Sequence, residues 1–213
     1  MTLHVRHLGT DIPFAETLAL QETLVTQRLA DEIPDTLLLL QHAPVYTIGR
    51  TRDQSSLLNR HALPHPTYEI SRGGQATYHG PGQLVGYPII DLKPLGRDLH
   101  LFLRALEDSL INLAAHFNVT AQRRQGLTGI WVDDRKLASI GIGVRKWITY
   151  HGFALNLTPE SLPPFQHITP CGLNGVHMTS LQSESPSPSI YQDSPESLFP
   201  DCLQTTLGQQ LRT

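Results

Sequence analysis

Residues Arg72 to Asp91 read R-G-G-Q-A-T-Y-H-G-P-G-Q-L-V-G-Y-P-I-I-D, and this stretch guides the interpretation of the rest of the chain. It opens with two glycines, turns at Gly80-Pro81-Gly82, and resumes from Leu84 as an apolar run. Glycines let a backbone approach another molecule closely because no Cβ stands in the way, and a strand on each side would hold such a loop rigid. Two structures fit these residues: an ordinary hairpin, and a wall that grips a ligand and to which His79 adds a polar edge.

Hydrophobic spacing outside this stretch predicts two helices and a series of short strands. Pro13 opens a helix that extends to about Asp31, and Asp98 is a suitable N-cap for a second helix, whose apolar residues recur every three or four positions up to Phe117. Aliphatic and aromatic runs predict strands at residues 36–41, 46–50, 68–71, 84–92, 129–132, 136–147 and 148–157. Short strands in series, with two helices covering one face, predict an α+β fold of mixed β-sheets with packed helices.

Length and composition exclude several classes of protein. The 213 residues suffice for one sizeable core but not for two ordinary domains, and a net charge of −3 gives no global attraction to nucleic acid or to an anionic membrane. Two cysteines do not make a disulfide framework. The longest aliphatic run, Leu37 to Leu40, is too short to span a bilayer, and residues 1–16 lack the pattern of a secretory signal. We therefore expect a cytoplasmic protein with no nucleic-acid or membrane partner. Composition does not determine the oligomeric state, and a monomer is the default expectation.

Cys171 is the first candidate for chemistry. It lies in the sequence Pro170-Cys171-Gly172, where the proline fixes its own φ and the glycine permits a sharp exit, so the thiol can be presented at a bend. A lone cysteine in this setting is either a nucleophile or a structural thiol. The other cysteine, Cys202, has the spacing of the inner face of a C-terminal helix and is interpreted as an apolar filler.

Lys136 is the second candidate, in the run R-K-L-A-S-I-G-I-G-V. A lysine among apolar and small residues is commonly a surface side chain that extends its head to water. A fixed ammonium beside a thiol, whose ordinary pKa is about 8.5, instead favours the thiolate. Lys136 and Cys171 together are therefore compatible with a dyad that attacks an acyl group near neutral pH.

Three long motifs in order resemble the lipoyl(octanoyl) transferases. They are R-G-G-Q-A-T-Y-H-G-P-G-Q-L-V-G-Y-P-I-I-D-L, then G-I-W-V with R-K-L-A-S-I-G-I-G-V-R-K-W-I-T-Y-H-G-F-A-L-N-L, then P-C-G-L with M-T-S-L, preceded by P-V-Y-T-I-G-R at 44–50. The resemblance spans about residues 37–181. It implies the catalytic-domain fold of lipoate and biotin protein ligases, with no cofactor and no metal.

The same resemblance implies an activity and its partners. Enzymes of this family transfer an octanoyl group from octanoyl-acyl carrier protein, through a cysteine thioester, to a lysine of lipoyl domains. Acceptors of this kind include the glycine cleavage H protein and the E2 subunits of 2-oxoacid dehydrogenases. The family's nucleophile falls on Cys171, and the lysine that lowers its pKa falls on Lys136.

The family's acyl-substrate contacts fall on three short segments, in which glycines and small residues leave a slot while Ile140 and Phe153 offer apolar walls. The implied substrate-binding residues are Arg72, Gly73, Gly74, Gln75, Ala76, Thr77, Tyr78, His79, Ser139, Ile140, Gly141, Gly152, Phe153 and Ala154.

Other functions remain open from the sequence. An ATP-dependent lipoate or biotin ligase shares the fold but activates a free acid, and an amidotransferase moves octanoyl between proteins. A thiol hydrolase would use Cys171 with a histidine base. A metal-binding module is a fourth alternative, because the chain has 11 histidines, but they are scattered and no Cys/His cluster has ligand spacing.

Two further regions have less specific sequences. Residues 1–182 are expected to form the acyltransferase catalytic domain, while 183–213 belong to the same domain or form a tail. Serine and proline dominate from Ser183 to Ser197, which predicts an extended, mobile segment before a short helix over Ser197 to Leu211. Arg123-Arg124 and Arg145-Lys146 are either a basic surface for acidic partner proteins or an ordinary solvated face.

Overall fold

The computed structural model describes residues 3–50, 56–57, 63–169, 175–186 and 194–210. Its helices are α1 (Phe14–Leu29), α2 (Leu99–His116), α3 (Leu181–Glu184) and α4 (Pro195–Gln210). Its strands are β1 (His4–Ile12), β2 (Thr36–His42), β3 (Val45–Ile48), β4 (Thr67–Glu69), β5 (Thr77–His79), β6 (Gln83–Ile89), β7 (Gln122–Arg124), β8 (Leu127–Val132), β9 (Arg135–Arg145), β10 (Ile148–Asn156) and β11 (His177–Met178). Short 3₁₀ helices cover Pro159–Ser161 and Pro163–His167.

Two sheets organise the described chain. The larger has the order β1-β2-β6-β10-β9-β8-β7, with β11 pairing beside β9, and the smaller has the order β4-β3-β5. The β1–β2, β9–β11 and β3–β4 pairs are parallel, whereas the neighbours from β2 through β6, β10, β9 and β8 to β7 are antiparallel. The predicted α+β fold of mixed sheets with packed helices is confirmed.

Helices α1 and α2 cover opposite faces of the large sheet. The expectation that both cover one face is therefore wrong. Leu37 and Leu39 of β2 pack in the cluster that contains α2, whereas Leu38 and Leu40 pack in the cluster that contains α1. Successive side chains of a strand point to opposite faces. The run of four leucines is therefore a strand buried on both sides, and its lack of alternation follows from this position.

Helix α2 forms where the sequence predicted it. Asp98 accepts a hydrogen bond from the Leu101 backbone N–H at 3.0 Å, which satisfies one of the free N–H groups of the first turn. The residues spaced along its inner face are buried at 0% exposure: Phe102, Leu106, Leu110 and Leu113. Burying each such side chain contributes roughly 1.5–3 kcal/mol, so packing against the sheet supports the helix.

Both described ends of the Ser/Pro-rich segment are helical, contrary to the expectation of an extended segment from Ser183 to Ser197. Glu184 lies in α3 and pairs with Arg135 at 2.7 Å, and Ser185 donates a hydrogen bond to the Phe117 carbonyl at 3.1 Å. Helix α4 begins at Pro195, and Leu203 and Leu207 complete the core beside α2. Residues 187–193 lie outside the described residues.

Of the helices that the structure describes, none is both long enough and apolar enough to cross a membrane.

Candidate active site

A narrow cavity of about 40 Å³ lies where the glycine-rich stretch meets β9 and β10. It brings together twelve of the fourteen substrate-binding residues expected from the sequence: Arg72, Gly74, Gln75, Ala76, Thr77, His79, Ser139, Ile140, Gly141, Gly152, Phe153 and Ala154. The other two are placed differently. Gly73 lines a neighbouring groove, and the Tyr78 ring packs in a separate cluster with Tyr46 and Phe165.

Strand register explains why two distant segments meet at this cavity. Across the β9–β10 hairpin, Ser139 is the partner of Ala154, Ile140 of Phe153, and Gly141 of Gly152. The two triplets are therefore one patch of sheet, held by antiparallel hydrogen bonds.

The glycine-rich stretch approaches this patch closely through its backbone. The Gly73 N–H donates to the Ile142 carbonyl at 3.1 Å. A Cβ on Gly141 would lie 2.8 Å from the Gly73 carbonyl oxygen and 3.0 Å from Cδ of Arg72. Only a glycine permits this contact, so any larger residue at 141 would push the loop away from β9.

Arg72 holds the loop from the inside. Its buried guanidinium donates hydrogen bonds to the Gly73 carbonyl at 2.9 Å, to the Thr47 carbonyl at 2.8 Å and to Thr47 Oγ1 at 2.9 Å. These bonds join the loop to β3. The bends over residues 71–75 are therefore fixed by a side chain that also lines the cavity.

Three buried histidines line or back the cavity, and all are neutral near pH 7. Burial lowers the pKa of His42 to about 4, and burial together with the Arg72 charge lowers that of His151 to about 3. Burial also holds the pKa of His79 well below its usual range, with a smaller effect from His42. The Nδ1 of His42 donates to the Ile12 carbonyl at 2.9 Å, so its Nε2 accepts from the Tyr87 hydroxyl at 2.7 Å.

Four lining residues were missed by the sequence reasoning: Phe14, Ile70, Tyr87 and His151. They come from α1, the loop after β4, β6 and β10, and only tertiary packing brings them together. His151 is in the left-handed conformation with φ of 56°, which is uncommon for a residue other than glycine. Its position directly before Gly152, inside a run of strand residues, was the one available signal.

Lys136 lies on β9, three residues before Ser139, and is only 1% exposed. Its Cα partners are Trp131 on β8 and Met178 on β11, and its Nζ lies 5.3 Å from the centre of the Trp131 ring. Gly129 leaves the space for the side chain, because a Cβ there would lie 3.0 Å from Lys136 Cε. The sequence alternative of a lysine extended to water is therefore wrong.

Cys171 lies outside the described residues, but the chain on both sides of it is placed. Before it, the Thr169 N–H donates to the Ser56 carbonyl at 2.7 Å, and Ile168 bridges to Leu57. After it, Met178 pairs directly with Lys136, and the Thr179 N–H donates to the Lys136 carbonyl at 2.9 Å. The segment that carries Cys171 is thus followed by a strand that contacts Lys136.

Cys202 and the Arg123-Arg124 pair make contacts away from the cavity. Cys202 is buried in α4, where burial raises the pKa of its thiol. Arg123 pairs with Glu107 and Asp108, and Arg124 stacks over Trp131 at 5.0 Å, so this pair serves internal contacts. Within the described residues, no group of three His, Cys, Asp or Glu side chains is arranged to hold a metal ion.

Arg145 and Lys146 are both exposed at the turn between β9 and β10, and Arg145 also contacts α1. The guanidinium of Arg145 donates to Thr26 Oγ1 of α1 at 2.9 Å. Lys146 lies exposed in the turn between β9 and β10. Arg145 therefore joins the turn to α1.

Comparisons with known proteins agree on one family. Residues 13–198 match the model of the lipoyl protein ligase A/B catalytic domain. The chain is 54% identical over 179 residues to an octanoyltransferase of Geobacter metallireducens, covering 84% of this chain and 82% of that protein. It is 44% identical over 189 residues to an octanoyltransferase of Gloeobacter violaceus, covering 86% and 82%.

Solved structures share the fold at low sequence identity. Protein Ta0514 of T. acidophilum with bound lipoic acid superposes with a TM-score of 0.72 at 12% identity, covering 98% of this chain and 87% of that one. A lipoate-protein ligase A bound with ATP gives 0.60 at 11% identity, with coverage of 99% and 85%. The biotin protein ligase of Aquifex aeolicus gives 0.58 at 11% identity, with coverage of 100% and 72%.

Proposed function

The chain belongs to the lipoyl protein ligase A/B catalytic-domain family and its curated relatives are octanoyltransferases, and we propose that it transfers octanoyl from octanoyl-acyl carrier protein to lipoyl domains through a thioester on Cys171. Octanoyl transfer in lipoate biosynthesis is the activity that these relatives support. The thioester route, the residue roles and the particular acceptors are the proposal.

One observation carries the proposal: Lys136 is buried on the same strand that forms the wall of the cavity. Ser139, Ile140 and Gly141 begin three residues after it, which corresponds to roughly 10 Å along a strand. An ammonium and a narrow slot for an unbranched acyl chain are thereby held on one rigid element. The pairing of β11 with Lys136 supports placing the Cys171 segment at the same end of β9.

In the first step, the Cys171 thiolate attacks the carbonyl carbon of the donor thioester. A carbon–sulfur bond to Cys171 forms, and the bond to the carrier's sulfur breaks. The departing carrier thiolate takes a proton from the Lys136 ammonium and leaves as a thiol. Before the reaction, the positive charge of Lys136 favours the Cys171 thiolate. During the reaction, Lys136 donates its proton to the departing carrier thiolate.

In the second step, the neutral amine of the acceptor lysine attacks the thioester on Cys171. A carbon–nitrogen bond forms, the amine loses one proton to the Lys136 amine, and the Cys171 thiolate leaves. The products are an octanoyl amide on the lipoyl domain and the original ion pair of Lys136 and Cys171. Octanoyl-acyl carrier protein and the free lysine have been converted to carrier thiol and amide with no other reagent consumed.

We assign the acyl chain to the narrow cavity. Ile140 and Phe153 supply apolar walls, and the neutral His79 and His151 leave no charged imidazole beside the chain. A protonated imidazole facing an alkyl chain would lose hydration without compensation, whereas the Arg72 guanidinium in the same lining is hydrogen-bonded to Gly73 and Thr47. The low pKa of these histidines is therefore compatible with an acyl ligand.

The partners follow from the proposed reaction. The donor is an acyl carrier protein, and the acceptors are lipoyl domains such as the glycine cleavage H protein and 2-oxoacid dehydrogenase E2 subunits. The enzyme would work as a monomer in the cytoplasm, where the Cys171 thiol stays reduced.

The function is tested by incubating the purified protein with octanoyl-acyl carrier protein and a lipoyl domain in the absence of ATP. We expect octanoylated lipoyl domain, detected by intact mass. Formation of product only from octanoate with ATP would instead indicate a ligase, and formation only from an octanoylated H protein would indicate an amidotransferase. Release of free octanoate without modified lipoyl domain would indicate a hydrolase.

A further inference from the structure

A second space adjoins the cavity on the side of Lys136. This space, which we call the arm groove, has a volume of about 420 Å³. It runs between the start of α2, the β7–β8 turn and the outer side of the glycine-rich stretch. Its lining includes the half-buried Leu99, Leu103 and Leu127, the exposed Thr128, and Arg50. None of these residues has a role in the steps described above.

The arm groove and the cavity share one wall. Gly74, Ile140 and Gly141 line both spaces, and Lys136 lines the groove only. A thioester whose alkyl chain occupies the cavity would thus reach the shared wall with its carbonyl group. Whatever is attached to its sulfur would continue into the groove.

The charges of the groove select among its occupants. Among the described lining residues, the charged side chains are Arg50 and Lys136, and both are cationic. Arg50 is exposed, and its backbone N–H is fixed to the Arg72 carbonyl at 2.9 Å. Two positive charges repel the ammonium of an incoming lysine and attract a ligand that ends in a phosphate.

We propose that the arm groove binds the 4′-phosphopantetheine arm of the acyl donor, with its amide and dimethyl stem against Leu99, Leu103 and Leu127 and its phosphate at Arg50. This inference rests on the proposed function, because it names the part of the donor that the same site recognises. The arm of a carrier protein is an extended chain with a thioester at one end and a phosphodiester at the other. That order matches the groove. The groove meets the acyl cavity at the shared wall, and besides Lys136 it carries Arg50 as a cation for the phosphate.

Binding is tested first without chemistry, using 4′-phosphopantetheine in its thiol form and titration calorimetry. Thr128→Trp puts a bulky side chain into the groove from an exposed position on β8, which leaves the core intact. We expect it to weaken binding by at least about 10-fold, because the indole would occupy space that the arm needs. Arg50→Gln should weaken binding by about 10-fold, as expected for loss of a charged hydrogen bond to phosphate. The matched control is Leu101→Trp, on the exposed face of α2 outside the groove, which should bind as wild type.

The same variants are then compared with two donors, octanoyl-4′-phosphopantetheine and octanoyl-pantetheine, which differ only in the phosphate. Arg50→Gln should reduce the ratio of kcat/KM for these donors by about 10-fold, and Leu101→Trp should leave it unchanged. Equal binding by wild type, Thr128→Trp and Arg50→Gln would overturn the assignment of the groove.

Nucleotide binding is the competing outcome. Tight binding of ATP that Thr128→Trp abolishes, with no binding of 4′-phosphopantetheine, would assign the groove to a nucleotide and refute the proposal. If no octanoyl thioester reacts with wild type while 4′-phosphopantetheine still binds in the groove, then the proposed reaction fails and the assignment of the groove stands.

Discussion

Trp131 and Lys136 face each other across β8 and β9, with the Lys136 Nζ 5.3 Å from the centre of the indole ring. Both side chains are buried. A cation over the face of a tryptophan is stabilised by roughly 1–2 kcal/mol when it is shielded from water. The aromatic face therefore holds the ammonium that the proposed dyad requires at one position beside the shared wall.

Replacing Trp131 is expected to weaken the dyad in proportion to the aromatic surface lost. Trp131→Leu removes the ring face, so the ammonium loses its cation–π contact and is held less firmly beside the Cys171 thiolate. In a Cys202→Ala background, the pH midpoint for iodoacetamide alkylation of Cys171 should rise. Trp131→Phe keeps a smaller face and should give an intermediate midpoint. If both variants are folded and alkylate like wild type, Trp131 does not position Lys136.

Removing the charge of Lys136 should have a larger effect. Lys136→Met keeps much of the apolar stem, but no cation then favours the Cys171 thiolate. The alkylation midpoint should move to higher pH than in wild type, and acyl transfer should be lost. Lys136→Arg should recover part of the midpoint shift without recovering transfer, because guanidinium is a poor proton acceptor. An unchanged midpoint in folded Lys136→Met would show that the thiol has another partner.

The extent of sequence-based prediction differed between elements for physical reasons. Helix α2 was predictable because Asp98 and the spacing from Leu99 to Phe117 are local signals. The placement of α1 on the opposite face was not, because the four leucines of β2 are buried on both sides and carry no alternation. Glu184 was assigned to an extended segment from composition, whereas its pairing with Arg135 depends on a contact 49 residues away.

In the candidate site, too, local motifs were predictable from the sequence and tertiary contacts were not. The segments around Gly73, Ser139 and Gly152 were found as motifs, and β-pairing then brought them together. Tyr87 and His151 lie within the quoted motifs but were not singled out as site residues, because their place at the cavity arises from the packing of β6 and β10. The burial of Lys136 also could not be read from its neighbours, since it depends on Gly129 and Trp131 of the adjacent strand.

Glu107 is expected to contribute to the stability of the fold through a buried carboxylate that joins α2 to β8. Its buried carboxylate accepts hydrogen bonds from Arg104 at 2.5 Å, Arg123 at 3.0 Å and the Gly129 N–H at 3.0 Å. Glu107→Gln leaves those donors with a neutral partner and should lower the free energy of unfolding by about 2–3 kcal/mol. Asp108→Asn is the matched control, since this half-buried carboxylate also pairs with Arg123, but the substitution should cost less than about 1 kcal/mol.

Urea denaturation at pH 7 measures both variants. Equal losses in Glu107→Gln and Asp108→Asn would contradict the role assigned to the buried carboxylate.

His151 should make the protein less stable in mild acid. Its pKa is about 3 in the folded protein because of burial and the Arg72 charge, against about 6.5 in the unfolded chain. Below pH 6.5 the unfolded state therefore binds a proton that the folded state does not, so this stability is present above pH 6.5 and falls as the pH decreases towards 3. Between pH 7 and pH 5 this one group should cost about 2 kcal/mol.

His151→Asn removes the titrating ring and tolerates the left-handed backbone. Urea denaturation at pH 7 and pH 5 should show a smaller loss of stability in this variant than in wild type. A loss of the same size in both proteins would mean that His151 is protonated in the folded state as readily as in the unfolded chain.

Intact-mass analysis after mixing the protein with octanoyl-acyl carrier protein tests the central claim most directly. Wild type and Cys202→Ala should each gain one octanoyl group, because Cys202 is buried in α4 and its thiol pKa is raised. Cys171→Ala should gain none and should release no carrier thiol. An octanoyl adduct that persists in Cys171→Ala would contradict the assignment of Cys171 as the residue that carries the acyl group.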